Sequence, residues 1–79
     1  MSPSVILYGR PGCHLCEDAR GMLERAGVAF AERDIEADDE LFRRYLERIP
    51  VIVIDGEEAF ELVVDEADLR VRLGTLAGS

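Results

Sequence analysis

The chain has 79 residues and a formal net charge of −8, with 48% hydrophobic and 33% charged residues. This composition is typical of a single small globular domain covering residues 1–79. The acidic balance disfavours nucleic acids and anionic membranes as partners, because both are bound through basic surfaces. Residues 1–4 lack the features of a signal peptide, and no apolar run approaches a membrane span, so we expect a cytoplasmic protein.

The first half of the chain predicts a strand, a helix and a second strand. Residues 5–8 are a short apolar run that favours β-structure, and residues 9–12 have the composition of a turn. From Leu15 the apolar residues recur at helical spacing, and Gly27 is placed to end the helix. Residues 28–35 are then predicted to form the second strand.

The middle of the chain predicts a second helix and a β-hairpin. Asp38 is the expected N-cap of the helix, and Pro50 blocks its continuation. Residues 51–54 are a continuous β-branched run, which is typical of a strand buried on both faces. The Asp55-Gly56 pair predicts a type I′ turn, so a fourth strand at residues 58–63 must return antiparallel.

The last segment predicts a third helix and completes an α/β fold. Asp65 is the expected cap of this helix, with Leu69, Leu73 and Leu76 facing inward. The element order is therefore βαβαββα. Helices between the first three strands, followed by a hairpin, imply a three-layer domain with a four-stranded mixed sheet.

The only two cysteines form the segment Cys13-His14-Leu15-Cys16, where the first strand gives way to the first helix. We therefore expect both thiols in the first turn of that helix. Unpaired backbone N–H groups and the helix dipole favour a thiolate over a thiol at such a position. A spacing of two residues also lets the sulfurs approach each other. The motif thus predicts a redox-active dithiol that can close to a disulfide.

The two cysteines also allow uses other than redox chemistry. A structural disulfide across two residues would constrain almost no chain entropy. A zinc site normally needs four ligands, and this chain offers one cysteine pair and one histidine. Two chains could share a metal ion or an iron–sulfur cluster through Cys13. A dimeric metal or iron–sulfur module and a catalytically silent interaction domain therefore remain the alternatives.

Three segments carry a family resemblance that covers nearly the whole chain. They are residues 8–16, with the sequence Y-G-R-P-G-C-H-L-C, Asp34-Ile35-Glu36 after the second strand, and Arg48-Ile49-Pro50-Val51 before the third. In these segments the chain closely resembles the glutaredoxin branch of the thioredoxin-like superfamily, in particular the small glutaredoxin-like proteins. The resemblance implies a thioredoxin-like fold and a cytosolic thiol–disulfide oxidoreductase active in electron transport.

The resemblance also implies roles for four residues. Cys13 would be the exposed nucleophile, and Cys16 the more buried resolving thiol that releases the product. The residue nearer the helix start also meets more N–H groups and more solvent, which favours the same assignment. Pro50 would follow a cis peptide bond and pack against the sulfurs, while the backbone of Ile49 would pair with an incoming peptide.

Two further residues lie near the thiols in the sequence. The cation of Arg10, three residues before Cys13, could stabilise a thiolate, and a lysine stands near this position in many glutaredoxins. His14 could act electrostatically when protonated, or as a proton shuttle. Its alternative is an exposed side chain of the first helical turn with no catalytic role.

The chain departs from typical glutaredoxins where these bind glutathione. Their C-P-Y-C motif is replaced by C-H-L-C, and their Gly-Gly pair is absent. Only Asp65 could replace the acid of the glutathione-binding turn, and a run of acidic residues adds repulsion: Glu57, Glu58, Glu61, Asp65 and Glu66. We therefore expect weak, salt-sensitive activity with glutathione and better reduction by a dithiol or a thioredoxin-type donor.

The expected partners follow from this interpretation. A disulfide-bearing protein or small molecule would be the substrate, and a thiol reductant the electron donor. Glutathione remains a candidate co-substrate, and we expect no bound cofactor or metal. The protein is expected to be a monomer.

Overall fold

The computed structural model describes the backbone of residues 4–78 and the side chains of residues 4–74. The predicted inward orientation of Leu76 therefore lies outside the described side chains. The elements within these residues are β1 (Val5–Gly9), α1 (His14–Ala26), β2 (Ala31–Asp34), a 3₁₀ turn (Ile35–Ala37), α2 (Asp39–Tyr45), β3 (Val51–Ile54), β4 (Glu57–Glu61) and α3 (Glu66–Gly78).

The four strands form one mixed sheet in the order β2-β1-β3-β4. β1 pairs with β2 in parallel, and with β3 antiparallel. β4 returns antiparallel to β3 through Asp55 and Gly56, both of which have positive φ, as a type I′ turn requires. The predicted βαβαββα order and the mixed sheet are confirmed.

The alternation of side chains along the central strands divides the core between the two faces of the sheet. One face packs against α1 and α3 in a cluster of Val5, Leu7, Ala19, Leu23, Ile52, Ile54, Val64, Leu69 and Leu73. The other face packs against α2 through Ile35, Tyr45, Ile49, Val51 and Val53, and Cys16 of α1 joins this second cluster. The sheet is therefore the middle of three layers, as the sequence predicts.

Three predicted helix boundaries are present. α1 ends at Gly27, whose left-handed backbone (φ 74°) lets its N–H bond back into the last turn. The carboxylate of Asp38 accepts two N–H groups of the first turn of α2, at 2.9 and 3.2 Å. Asp65 caps α3 in the same way, also at 2.9 and 3.2 Å. Each cap satisfies N–H groups that would otherwise lack a partner.

The predicted second strand, residues 28–35, is too long. Ladder pairing with β1 begins only at Ala31, opposite Ile6, so residues 28–30 lie outside the strand. At the other end, the Asp34 carboxylate accepts the N–H of Glu36 at 2.8 Å. This bond turns the chain into the 3₁₀ segment and ends β2 at Asp34.

The predicted fourth strand, residues 58–63, is displaced toward the hairpin. β4 runs from Glu57 to Glu61, and its pairing with β3 contains an irregularity between Ile52 and Val53. Leu62 then adopts a left-handed backbone with φ 64°, which ends the strand.

None of the helices in the described part of the chain is long and apolar enough to cross a membrane.

Candidate active site

The two thiols lie at the start of α1, but only one of them is inside the helix. Cys13 is the N-cap, with an extended backbone (φ −93°, ψ 113°), and α1 begins at His14. The expectation that both cysteines lie in the first turn is therefore wrong for Cys13. Its Sγ takes the place of an N-cap oxygen and accepts the N–H of Cys16 at 3.3 Å. The sulfur thus lies against a helical N–H group, where negative charge is stabilised.

Burial separates the two thiols. Cys13 is half-buried, whereas Cys16 is 4% exposed, and both are free cysteines. Burial, followed by the hydrogen bond with Cys13, raises the pKa of the Cys16 thiol from 9.0 to about 12; the backbone and the charge of Arg10 oppose the increase. Cys16 is therefore a thiol near neutral pH, and Cys13 is the sulfur that solvent can reach.

Gly9, the last residue of β1, lets the helix approach the sheet at this point. A Cβ at Gly9 would lie 2.9 Å from the Sγ and 3.0 Å from the Cβ of Cys16. In the sequence, Gly9 indicates only a turn, so this contact is not predicted. A glycine at the end of a strand pattern can mark such a close approach, which is the signal that could have identified it.

Arg10 and His14 are both at the surface. The Arg10 guanidinium lies 2.7 Å from the carboxylate of Glu36. Its charge opposes, by a smaller amount, the burial that raises the pKa of the Cys16 thiol. His14 is the first residue of α1 and is exposed. Their proposed actions on the Cys13 thiolate remain predictions.

The segment before β3 adopts the conformation that the family resemblance implies. The Ile49–Pro50 peptide bond is cis, and Pro50 is fully buried. The N–H of Ile49 donates to the carbonyl of Tyr45 at 3.0 Å. That N–H is therefore already engaged, and the Ile49 carbonyl is the group through which a substrate backbone could still pair.

A network that sequence analysis missed holds this segment against β4. Arg48 forms ion pairs with Glu58 and with Glu61, the latter at 2.7 Å, and the Tyr45 hydroxyl donates to Glu58 at 3.0 Å. Bonds from Arg48 and Tyr45 hold the pKa of Glu58 below its ordinary value. The Tyr45 ring also stacks on Tyr8, with centroids 4.8 Å apart. These contacts join residues that are distant in the chain, so no local pattern reveals them.

The end of β4 is hydrogen-bonded to the segment around Pro50. The N–H of Leu62 lies 3.0 Å from the carbonyl of Arg48 and 3.1 Å from that of Pro50. The side chains of Leu62 and Val63 are 47% and 76% exposed. Two apolar side chains therefore project from the backbone that adjoins Pro50.

Among the described residues, no group of three or more His, Cys, Asp and Glu side chains is placed to hold a metal ion.

Comparison with known proteins agrees with this geometry. A protein-family model described as "Glutaredoxin-like domain (DUF836)" matches residues 4–74. The chain belongs to this glutaredoxin-like family. The match includes both cysteines, the cis-proline segment and most of α3. No curated protein matches the sequence significantly.

Several solved structures share the fold of this glutaredoxin-like domain. A structural genomics target protein from X. campestris is 32% identical, with a TM-score of 0.80 over 91% of this chain and 97% of that one. Glutaredoxin from Brucella melitensis is 30% identical, with a TM-score of 0.57 over 95% and 85%. A glutaredoxin from Archaeoglobus fulgidus, 22% identical, has a TM-score of 0.67 over 86% and 83%, and supports the fold alone.

Proposed function

We propose that this glutaredoxin-like domain is a thiol–disulfide oxidoreductase that cycles Cys13 and Cys16 between a dithiol and a disulfide. The observation that carries the proposal is the 3.3 Å contact between the Cys13 sulfur and the N–H of Cys16 at the start of α1. This contact places the accessible sulfur at the positive end of the helix dipole and keeps the second thiol close behind it.

The cycle has two exchange steps. The Cys13 thiolate attacks one sulfur of a substrate disulfide, the substrate S–S bond breaks, and the departing thiolate takes a proton. Cys16 then loses its proton and attacks the Cys13 sulfur, which releases the second substrate thiol. The substrate gains two electrons and two protons, and the protein becomes the disulfide. An external dithiol returns it to the reduced form.

The substrate proposed here is a disulfide within a protein. The Ile49 carbonyl can accept a hydrogen bond from an extended substrate backbone, and Ile49 packs in the same cluster as Cys16. Leu62 and Val63 offer exposed apolar contacts on the strand end bonded to Pro50. Leu15, between the two cysteines in sequence, is also exposed. A peptide with apolar residues near its cysteine fits these exposed apolar side chains better than a small anionic thiol does.

The proposed reductant is a dithiol rather than glutathione. Leu62 and Val63 place side chains between β4 and α3, the region in which a glutathione-binding turn needs close backbone approach. Each hydrogen bond lost to a charged ligand group costs about 1.5–3 kcal/mol, or roughly tenfold or more in affinity. The neighbouring carboxylates of Glu58 and Glu61 add negative charge, although Arg48 neutralises part of it.

Turnover of a protein disulfide with two different reductants tests this function. Reduction should be faster with dithiothreitol than in a glutathione-coupled assay, and the glutathione rate should depend on salt. The double variant Leu62→Gly/Val63→Gly should raise the glutathione-coupled rate. Val71→Ala, which trims an exposed apolar side chain of α3, is the control and should leave both rates unchanged.

Three outcomes would contradict the proposal at different levels. A saturable, salt-insensitive glutathione rate in the unchanged protein would show that glutathione is the reductant after all. No reduction of any disulfide, despite free thiols, would favour the silent interaction domain. Visible absorbance after anaerobic purification would favour the shared iron–sulfur cluster instead.

A further inference from the structure

Arg48 begins the proline segment, residues 48–50, and its backbone is bonded on both sides. Its N–H donates to the carbonyl of Tyr45 at 2.8 Å, and its carbonyl accepts the N–H of Leu62 at 3.0 Å. The first bond joins Arg48 to the last residue of α2, and the second joins it to the residue that follows β4. The backbone of Arg48 therefore connects two elements at the point where the proline segment begins.

The side chain of Arg48 contacts the same two elements. Its guanidinium forms ion pairs with Glu58 and, at 2.7 Å, with Glu61 of β4. The same group lies over the ring of Tyr45 in α2, with Cζ 5.4 Å from the ring centroid. Two carboxylates and one aromatic face suit the planar fork of an arginine better than the point charge of a lysine. The side chain of Arg48 therefore strengthens the connection that its backbone makes.

The groups proposed to contact a protein substrate adjoin these bonds. The Ile49 carbonyl belongs to the residue directly after Arg48. Leu62 directly follows Glu61, the ion-pair partner of Arg48, and its N–H donates to the Arg48 carbonyl. Leu62 also has a left-handed backbone, with φ 64°, and a bulky residue keeps this conformation only where surrounding contacts hold it. Arg48 is therefore bonded to the backbone on both sides of the proposed peptide contact.

We propose that Arg48 is a positioning residue for protein substrates, which holds the Ile49 carbonyl and the Leu62 side chain at the separation that a bound peptide needs. This inference rests on the proposed function, and it adds the residue on which affinity for a protein disulfide depends. Arg48 acts through Glu58 and Glu61, and its guanidinium does not bind the substrate. A small disulfide uses neither peptide contact, so its reduction is independent of Arg48.

Preorganisation is the physical reason why Arg48 acts on substrate affinity. Ordering a loose segment on binding consumes part of the interaction free energy, and a segment that is already fixed avoids this loss. The side chain of Arg48 is 33% exposed, and exposed ion pairs contribute little to global stability. Loss of the Arg48 side chain should therefore change the placement of the proline segment more than it changes the stability of the fold.

Reduction kinetics of Arg48→Met test the proposal, with insulin as the protein disulfide and dithiothreitol as the reductant. We expect KM for insulin to rise about fivefold, the value of about one backbone hydrogen bond, with kcat unchanged. A loss of folded protein would instead lower the apparent kcat and leave KM unchanged. The reduced variant should also react with a chromogenic dipyridyl disulfide at the rate of the unchanged protein, because this small disulfide makes no peptide contact.

Two further variants separate positioning from a simple charge effect. Glu58→Gln/Glu61→Gln removes the partners of Arg48 and changes the local charge in the direction opposite to Arg48→Met. Positioning predicts a similar rise in KM for insulin, and no further rise when Arg48→Met is added to this background. Arg25→Met is the matched control, because Arg25 binds both oxygens of Glu66 at 3.0 Å from the last turn of α1, at the other end of that helix from the thiols. It should leave KM and kcat unchanged.

The results that would contradict the proposal are distinct. An unchanged KM in Arg48→Met would overturn it. A lower KM in Glu58→Gln/Glu61→Gln would also overturn it, because charge rather than position would then govern binding. An equal loss of rate with the dipyridyl disulfide would show that Arg48 acts on the thiols and not on the peptide contact. Absence of insulin reduction by the unchanged protein would overturn the proposed function and, with it, this inference.

Discussion

Replacing Gly9 by alanine tests the packing that places the two thiols. The new methyl group would lie 2.9 Å from the Sγ and 3.0 Å from the Cβ of Cys16, and both atoms are buried. These atoms cannot swing away as the end of a long side chain could, because Cys16 is fixed within α1. The start of the helix must therefore shift away from the sheet.

The expected loss of stability follows from this overlap. Extra methylene groups in a packed core typically cost about 1–3 kcal/mol. Alanine also restricts the unfolded chain, which returns about 0.4–1 kcal/mol. A net loss of about 1–2 kcal/mol lowers the melting temperature by roughly 4–16 °C in a domain of this size. Thermal unfolding of the reduced protein, followed by circular dichroism, measures it.

Two comparisons show whether the contact with Cys16 is the cause. In a Cys16→Ala background, the closer atom is gone and the Cβ remains, so Gly9→Ala should cost less by about 0.5 kcal/mol or more. Gly74→Ala on α3 is the matched control, because no atom lies within 4 Å of a Cβ there. It should stabilise the helix by up to about 1 kcal/mol. An equal cost of Gly9→Ala in both backgrounds would refute the reasoning.

Brief treatment with iodoacetamide near neutral pH should alkylate Cys13 much faster than Cys16, because Cys16 is buried and its pKa is about 12; equal labelling in a peptide map would reverse the assigned roles. Glu58→Gln should destabilise the protein near neutral pH, because Arg48 and Tyr45 lower the pKa of Glu58 in the folded state. A lowered folded-state pKa stabilises above the unfolded value of about 4.5, and this contribution disappears as the pH falls through the folded value. Chemical denaturation should therefore show the two proteins converging in acid, and a constant difference down to pH 2 would argue against this ion pair. Above about pH 9 the unchanged protein should lose stability faster than Cys16→Ala, since the folded state holds the Cys16 proton that the unfolded chain releases; parallel curves would contradict the raised pKa.

The fold was predictable because its signals are local. Asp38 and Asp65 precede helices and accept N–H groups of the first turn, as their position in the sequence indicates. Asp55-Gly56 fixes the hairpin because few other pairs adopt two positive φ values. Strand ends were less predictable, because β2 begins where its pairing with β1 begins, at Ala31 opposite Ile6, and this pairing is not a local property of the sequence.

The site was predictable only in part. The spacing of Cys13 and Cys16 is local, so it could be recognised from the sequence. The contact of Gly9 with the Cys16 sulfur depends on how α1 packs on the sheet. Likewise, Arg48 meets Glu58 only because β4 folds back along β3. The burial that raises the pKa of Cys16 also depends on tertiary packing, and periodicity does not encode such contacts.

The most direct test of the account is the covalent product that each cysteine variant forms with a protein disulfide. With the substrate in stoichiometric amount, intact mass and peptide mapping should show a Cys13–Cys16 disulfide in the unchanged protein. Cys16→Ser should stop at a stable mixed disulfide through Cys13, released by dithiothreitol, and Cys13→Ser should form no adduct. A mixed disulfide through Cys16, or full turnover by Cys16→Ser without added thiol, would contradict the assignment of Cys13 as nucleophile and Cys16 as resolving thiol.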